Sequence, residues 1–314
     1  MGGYTEAAAA SGGARARLTA RNRRRRSASW GDRYFHRIAV LPTTLVMVLI
    51  FGVPLLFSAW LSIEAWAPDQ QLFGGRFAGW DNYQDLLTDP EFIGSLTLTL
   101  SYTAATVVAE LAAGLGIALL LDIDLPWIGL FRTLLVVPMM ITPVVAASCW
   151  KLLLDPDHGA VNALIAQHIV WLGRPGTAFL SVCVVNVWQN APYVAILLLA
   201  GLRSLPHEPL EAASIDGASR WQVFWHVTLP LLKPYILVAL LLRMIFEFRA
   251  FDNIYVLTGG GPANATMTLS MFTYLASFVR FDMSLAAASS WLMLLLSLVM
   301  CLCFAAVVRR RDAT

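Results

Sequence analysis

Arg243, Glu247, Arg249 and Asp252 lie close together in a segment that is otherwise apolar. A charge at membrane depth costs about 2.5–3.5 kcal/mol on insertion scales, so each must face protein or a wet cavity. On one continuous helix, Arg243 and Glu247 are i,i+4 neighbours on a face shared with Phe246 and Ala250. Arg249 and Asp252 are i,i+3 neighbours on roughly the opposite side, and are expected to be a structural pair. Upstream, Asn186, Gln189, Asn190 and Tyr193 fall within an arc of about 100° on a second apolar helix, with Trp188 nearby and Pro192 inside it. Amides and phenols beside aromatic rings suit a polyhydroxylated ligand, whose hydroxyls need donors and acceptors and whose C–H faces pack on rings. The same groups can instead join helix to helix. Glu110 is one more carboxyl in apolar surroundings. It reads either as a proton site or as part of a close helix contact made by Ala109, Ala113, Gly114 and Gly116.

A second constellation is polar and lies between apolar segments. Leu210 to Ile215 can form a short helix, Gly217 permits a sharp turn, and Ala212, Ala213 and Ala218 keep the surface small enough to enter a cleft in another protein. Glu211 and Asp216 supply carboxylates for that partner, and Pro230 and Pro234 direct the chain into the next apolar segment.

The elements that carry these residues are membrane helices. The 314-residue chain is 58% hydrophobic and 13% charged, with a mean hydropathy of +0.66. A soluble domain needs far more charge to cover its surface. Six apolar spans are placed at about 38–63, 95–121, 131–154, 177–202, 234–257 and 284–308, each long enough to cross a bilayer. The apolar stretch 267–279 is too short and interrupted for a span and reads as an interfacial or partly re-entrant helix. Arginine clusters before the first span, as at 23–26, and again at 309–311, while the connection after that span is acidic, with Arg76 its one Lys or Arg. That distribution puts both termini and the 203–233 loop in the cytoplasm and the 155–176 loop outside. Residues 1–33 are read as a disordered basic cytoplasmic tail and 34–314 as the membrane domain. Cys149, Cys183, Cys301 and Cys303 all fall inside apolar segments, and the five histidines form no ligand pattern, so neither disulfides nor a metal is expected.

Four segments, in order, carry a resemblance. Glu211-Ala212-Ala213, three residues, Gly217, then Val227-Thr228-Leu229-Pro230 resembles the EAA loop of ABC importer permeases. The run from Phe251-Asp252-Asn253 to Gly259-Gly260-Gly261-Pro262 is similar to the segment of carbohydrate permeases that ends span five and turns outside the membrane. Phe131-Arg132-Thr133 with Pro138, Pro143, Trp150, Asp155-Pro156, Gly159 and Asn162 is similar too, as is Trp80-Asp81-Asn82-Tyr83. Over roughly 38–308 the chain resembles the binding-protein-dependent carbohydrate ABC transporter permeases, of the maltose, trehalose, polyol and glycerol-3-phosphate type, in the form of the first, GGP-bearing subunit.

The resemblance implies an all-α integral membrane protein of the type I importer fold in a bacterial inner membrane. It implies a second, unlike permease, a dimer of cytoplasmic ATPase subunits and an extracytoplasmic sugar-binding protein as partners. ATP and Mg would be bound by the ATPase, and no cofactor by this chain, which has no GxxxxGK[ST] loop and is expected not to be an enzyme. Aligned on the EAA and GGP motifs, the residues implied to contact sugar are Gln189, Asn190, Tyr193, Arg243, Phe246, Glu247 and Ala250. Those implied to couple to the ATPase are Glu211, Ala212, Ala213, Asp216, Gly217 and Ala218. Arg243 and Glu247 depart from the mostly neutral lining of the maltose type, which admits a charged or polyol-like cargo. The alternative reading is a self-contained proton-coupled secondary transporter using Glu110, Glu247 or Asp252.

Overall fold

A computed structural model describes residues 30–66, 74–123 and 126–311. The basic tail lies outside the described residues up to position 29, and Trp30 already opens the first helix. Of the described residues, those up to 60 form one compact unit and those from 61 onward another.

In the first unit, α1 (Trp30–Met47) passes through a π-helical turn at Val48–Gly52 into α2 (Val53–Leu61). The segment Ala39–Leu61 is long and apolar enough to cross a membrane. The widened turn has a local cause in Pro54. A proline ring collides with the carbonyl four residues before it, here that of Ile50, and a π turn moves that carbonyl aside. The second unit repeats the device at Phe224–Thr228, where Pro230 faces the carbonyl of His226.

The second unit opens with a two-stranded antiparallel ribbon, β1 (Glu64–Ala65) on β2 (Arg76–Phe77), and α3 (Asp81–Thr88). Asn82 Nδ2 donates to the carbonyls of Ser62 and Glu64, and Tyr83 donates its hydroxyl to Ser62 Oγ, which fixes this connecting segment. Then follow α4 (Pro90–Leu121), α5 (Ile128–Met140), α6 (Pro143–Leu153), α7 (Ala160–Ile165) and α8 (Pro175–Arg203). The loop helices α9 (His207–Ile215) and α10 (Arg220–Val223) precede α11 (Leu229–Phe248), α12 (Asp252–Leu257), α13 (Leu269–Phe278) and α14 (Met283–Arg311). Proline stands in the first turn of α4, α6 and α8, where its missing N–H costs no helical bond.

Helix α8 is the centre. More than half of its apolar window is buried, against a third or less for α4, α11 and α14, whose remaining apolar surface suits lipid. It packs along α4, whose inward face reads Thr106, Glu110, Gly114 and Ala118. Among the small residues singled out above, Gly114 makes the close contact, while Ala109 and Gly116 face away. A Cβ on Gly114 would come within 2.6 Å of Val194 Cγ1 and 3.1 Å of the Ala195 backbone nitrogen.

Two spans are not the continuous helices expected. The third breaks after Met140 and turns by 96° into α6. The cause is Pro143, which holds Thr142 in extended backbone (φ −62°, ψ 143°) and out of the helical region. The fifth ends at Phe248 rather than running to 257; Arg249 caps it and α12 starts afresh at Asp252. The stretch 267–279 contains the short helix α13, packed on α14 and α4.

The loop after the third span has a mechanical role. Asn162 Nδ2 donates to the carbonyls of Pro156 and Ile169, and its Oδ1 accepts from Trp171 Nε1, tying the 155–171 loop to itself. The backbone N–H groups of His158 and Asp157 donate to Asp155 and hold its carboxyl below the usual aspartate range. A carboxyl depressed in the folded state stabilises the turn at neutral pH and loses that contribution as pH falls through the lowered value. In the same way Arg132 Nη2 donates to the Leu121 carbonyl at 2.8 Å and caps α4.

Gly114→Ala should lower stability by about 1–3 kcal/mol through overpacking against α8, while Gly116→Ala should be neutral or slightly stabilising. Thermal unfolding of the two variants in detergent reads the difference; equal melting temperatures would contradict the packing described.

Candidate functional site

The two helix breaks and the polar stripe of α8 border one open cavity of about 490 Å³. From the third span come Met139, Ile141 and Pro143; from α8, Asn186, Gln189 and Asn190; from the fifth, Arg243, Phe246 and Glu247, with the break residues Arg249, Ala250 and Phe251 and the start of α12. A size of several hundred cubic ångströms suits a mono- or disaccharide-sized molecule.

Buried charge forms one wall. Arg243 Nε donates to Glu110 Oε2 at 2.7 Å and its Nη2 to Glu110 Oε1 at 3.0 Å, while the same Nη2 also donates to Glu247 Oε1. Asn186 Nδ2 donates to Glu247 Oε2 at 2.6 Å and to Glu110 Oε1 at 3.2 Å. All four side chains are nearly inaccessible: Glu110 0%, Asn186 4%, Arg243 5% and Glu247 3% exposed. Two carboxyls from α4 and α11 therefore share one guanidinium, and an amide from α8 closes the ring. Glu110 belongs to a helix contact, as one sequence reading had it, and its partner is a cation that the sequence reading assigned elsewhere.

Amides form the adjoining wall. Gln189 Nε2 donates at 2.8 Å to the carbonyl of Ile141, a group the 96° break leaves without a helical donor. Its Oε1 accepts from Asn253 Nδ2 at 3.1 Å, and Asn190 Nδ2 donates to both the carbonyl and Oδ1 of Asn186. Asn253 Oδ1 is buried with no donor among the described residues.

Six of the seven sugar-contact residues suggested by the sequence thus line one cavity. Tyr193 does not; it lies a turn further along α8 and packs against the apolar core with Val194 and Leu198. Trp188 pairs edge-on with Trp150 (5.5 Å) and is also outside the lining. Arg249 and Asp252 form no ion pair with one another, correcting the expected pair: the helix ends between them, and both side chains line the cavity. Ile141 and Asn253 were missed because each depends on a helix break.

The 203–233 loop presents its motif outward. Glu211, Ala212, Asp216 and Gly217 are exposed, and Ala213 and Ala218 are half-buried. Helix α9 ends in a Schellman motif, with Ala218 N–H donating to the Ala213 carbonyl and Gly217 N–H to that of Ser214. Gly217 sits at φ +77°, which favours glycine. Ser219 and Gln222 then form a capping box that starts α10. Ile215 projects from the motif at 86% exposure.

Residues 112–313 match the family described as binding-protein-dependent transport system inner membrane component. The chain belongs to this family. The permease is 40% identical over 80% of its length to a probable ABC transporter permease protein of Sinorhizobium fredii, covering 82% of that protein. It is 35% identical to the trehalose/maltose transport system permease protein MalF of Thermococcus litoralis, covering 76% of this chain and 81% of that one. In fold it is similar to a bacterial alginate ABC transporter solved with its alginate pentasaccharide-bound periplasmic protein, with a TM-score of 0.78 over 90% and 97% of the two chains at 22% identity. The permease is a multi-pass inner-membrane transport subunit of the ABC class and not itself an enzyme.

Arg243→Met leaves two buried carboxyls facing each other and should cost about 3–5 kcal/mol, whereas the triple variant Glu110→Gln, Arg243→Met, Glu247→Gln should recover part of that loss. Thermal unfolding of both proteins reads it, and an unchanged midpoint for Arg243→Met would contradict the fork.

Proposed function

We propose that this permease carries a small carbohydrate (a sugar, disaccharide, polyol or sugar phosphate) into the cell by alternating access, driven by a separate ATPase. The observation that carries the reading is the cavity itself: the amides of Gln189, Asn190 and Asn253, held by a charged wall behind them, converge beside exposed Phe246, combining hydrogen-bonding groups with the apolar contact that a sugar needs. The trehalose/maltose and trehalose systems named for relatives at 35% and 36% identity support the same cargo class.

Gln189, Asn190, Arg243, Phe246, Glu247 and Ala250 line the cargo's path, with Asn253 added to them and Tyr193 supporting from the core. Since Arg243 is bonded to both carboxyls, it works through the wall it organises and is not free to neutralise an anionic cargo. Both termini and the 203–233 loop face the cytoplasm. A dimer of ATPase subunits, binding ATP and Mg, grips the exposed 211–218 motif, with Ile215 as the apolar centre of the contact and Glu211 and Asp216 at its edge. Closure of the ATPase moves this loop and rocks the bundle, with a second, unlike permease across the cavity and an extracytoplasmic binding protein delivering the sugar. A proton-coupled mechanism gains nothing at Glu110 and Glu247, which are already bonded to Arg243.

In the assembled importer, trehalose or maltose with its binding protein should stimulate ATP hydrolysis. Gly217→Val, placed in the left-handed region at a cost of roughly 1–2 kcal/mol, should weaken that stimulation and ATPase co-purification without loss of membrane insertion. Gln189→Leu should raise the sugar concentration for half-maximal uptake and leave assembly intact. No stimulation by any sugar, polyol or sugar phosphate would refute the cargo class, and full coupling in Gly217→Val would refute the docking role.

A further inference from the structure

Four aromatic rings cluster beside the cavity, three of them in mutual contact and the fourth one step further out. Phe251, which lines the cavity, stacks on Tyr255 with ring centroids 5.3 Å apart and planes 19° from parallel. Tyr274 lies 5.1 Å from both of them, and Phe278 lies 5.2 Å beyond Tyr274. The set is built from two i,i+4 pairs, one at the start of α12 and one on α13, so two short helices present their rings side by side. Phe251 and Tyr274 are half-buried, while Tyr255 and Phe278 are 44% and 63% exposed. Tyr274 donates its hydroxyl toward that of Tyr255 at 3.4 Å, which leaves polar edges on an otherwise apolar surface.

One end of this cluster is the cavity wall, and the other is Phe278, the most exposed of the four rings. Arg280, two residues on, lies over the buried Phe272 ring instead, 5.5 Å from its centroid, and pairs with Glu91 through one Nη2 at 2.7 Å from each carboxylate oxygen. That ion pair is partly exposed (40% and 29%), as expected of a pair near water or headgroups, in contrast to the buried fork around Arg243. A cluster of rings reaching from a sugar-sized cavity to an exposed edge at Phe278 suits a ligand with alternating apolar C–H faces and hydroxyl edges.

We propose that Phe251, Tyr255, Tyr274 and Phe278 form an aromatic entry track on which pyranose rings stack while passing between the exposed edge at Phe278 and the cavity. The track rests on the carbohydrate reading of the cavity, and its occupant is a pyranose. A lipid acyl chain or the second permease would use the same apolar area without needing rings. Leucine at positions 274 and 278 therefore separates these cases, because it keeps apolar bulk and removes the stacking face.

The test uses the assembled importer in lipid bilayers and two photoreactive probes, a diazirine-bearing α-glucoside and a diazirine-bearing phospholipid, with peptide mapping of the label. The glucoside should label the 251–255 and 274–278 peptides, excess maltose should compete, and Tyr274→Leu with Phe278→Leu should reduce labelling there by about fivefold or more. Tyr274→Phe, which keeps the ring, should retain most of it. Labelling of the cavity residues alone, glucoside labelling unaffected by the leucine variants, or phospholipid labelling of positions 274 and 278 would each overturn the track while leaving the cavity reading intact. Absence of glucoside label from the whole chain would overturn both.

Discussion

The shared guanidinium of Arg243 is the constraint around which the rest of the structure is arranged. Glu110 comes from α4 and Glu247 from α11, while Asn186 on α8 bonds to both carboxyls. None of these groups tolerates apolar burial alone, so the three helices must meet at one depth and in one register. Gly114, one turn along α4 from Glu110, lets α8 come close enough for Asn186 to reach. The aliphatic packing on either side, around Leu198 and around Val185, is compatible with many rotations of these helices. The buried polar ring selects one.

Breaking helices supplies the other half of the site. In a bilayer an unpaired carbonyl is expensive, so irregular backbone at membrane depth occurs where protein or a wet cavity satisfies it. At the 96° turn the Ile141 carbonyl is taken by Gln189, which turns the remaining amide oxygen toward Asn253. At the second break the chain leaves α11 and re-enters as α12, bringing Arg249, Phe251 and Asp252 to the same space as the charged ring. The polar groups are thus held by backbone that the breaks themselves expose. Among the described residues, the largest concentration of side-chain hydrogen bonds between distant segments falls here.

Much of this was legible in the sequence. Apolar length located the spans, helical spacing placed Gln189, Asn190, Arg243 and Glu247 on facing stripes, and Gly217 signalled the turn that closes the exposed loop. Pro143 could have signalled the first break, since the residue before a proline is pushed out of the helical region, but the apolar run through Ile141 and Thr142 hid it. The second break has no such mark: Arg249, Ala250 and Phe251 include neither glycine nor proline, and a continuous wheel placed Arg249 and Asp252 on the wrong side. Tyr193 illustrates a different limit. A helical wheel gives direction but not depth, and one turn along α8 separates a cavity wall from an aliphatic core. Glu110 and Arg243, 133 residues apart, could be joined only in three dimensions.

The most direct test of the central claim, that cargo is held where the two breaks meet, is a structure of the assembled importer trapped with a transported sugar. Sugar density within hydrogen-bonding distance of Gln189 and Asn253, with the Arg243 fork intact behind it, is the predicted result. Sugar bound elsewhere in the permease pair, with this cavity filled by lipid or by side chains of the partner, would contradict it.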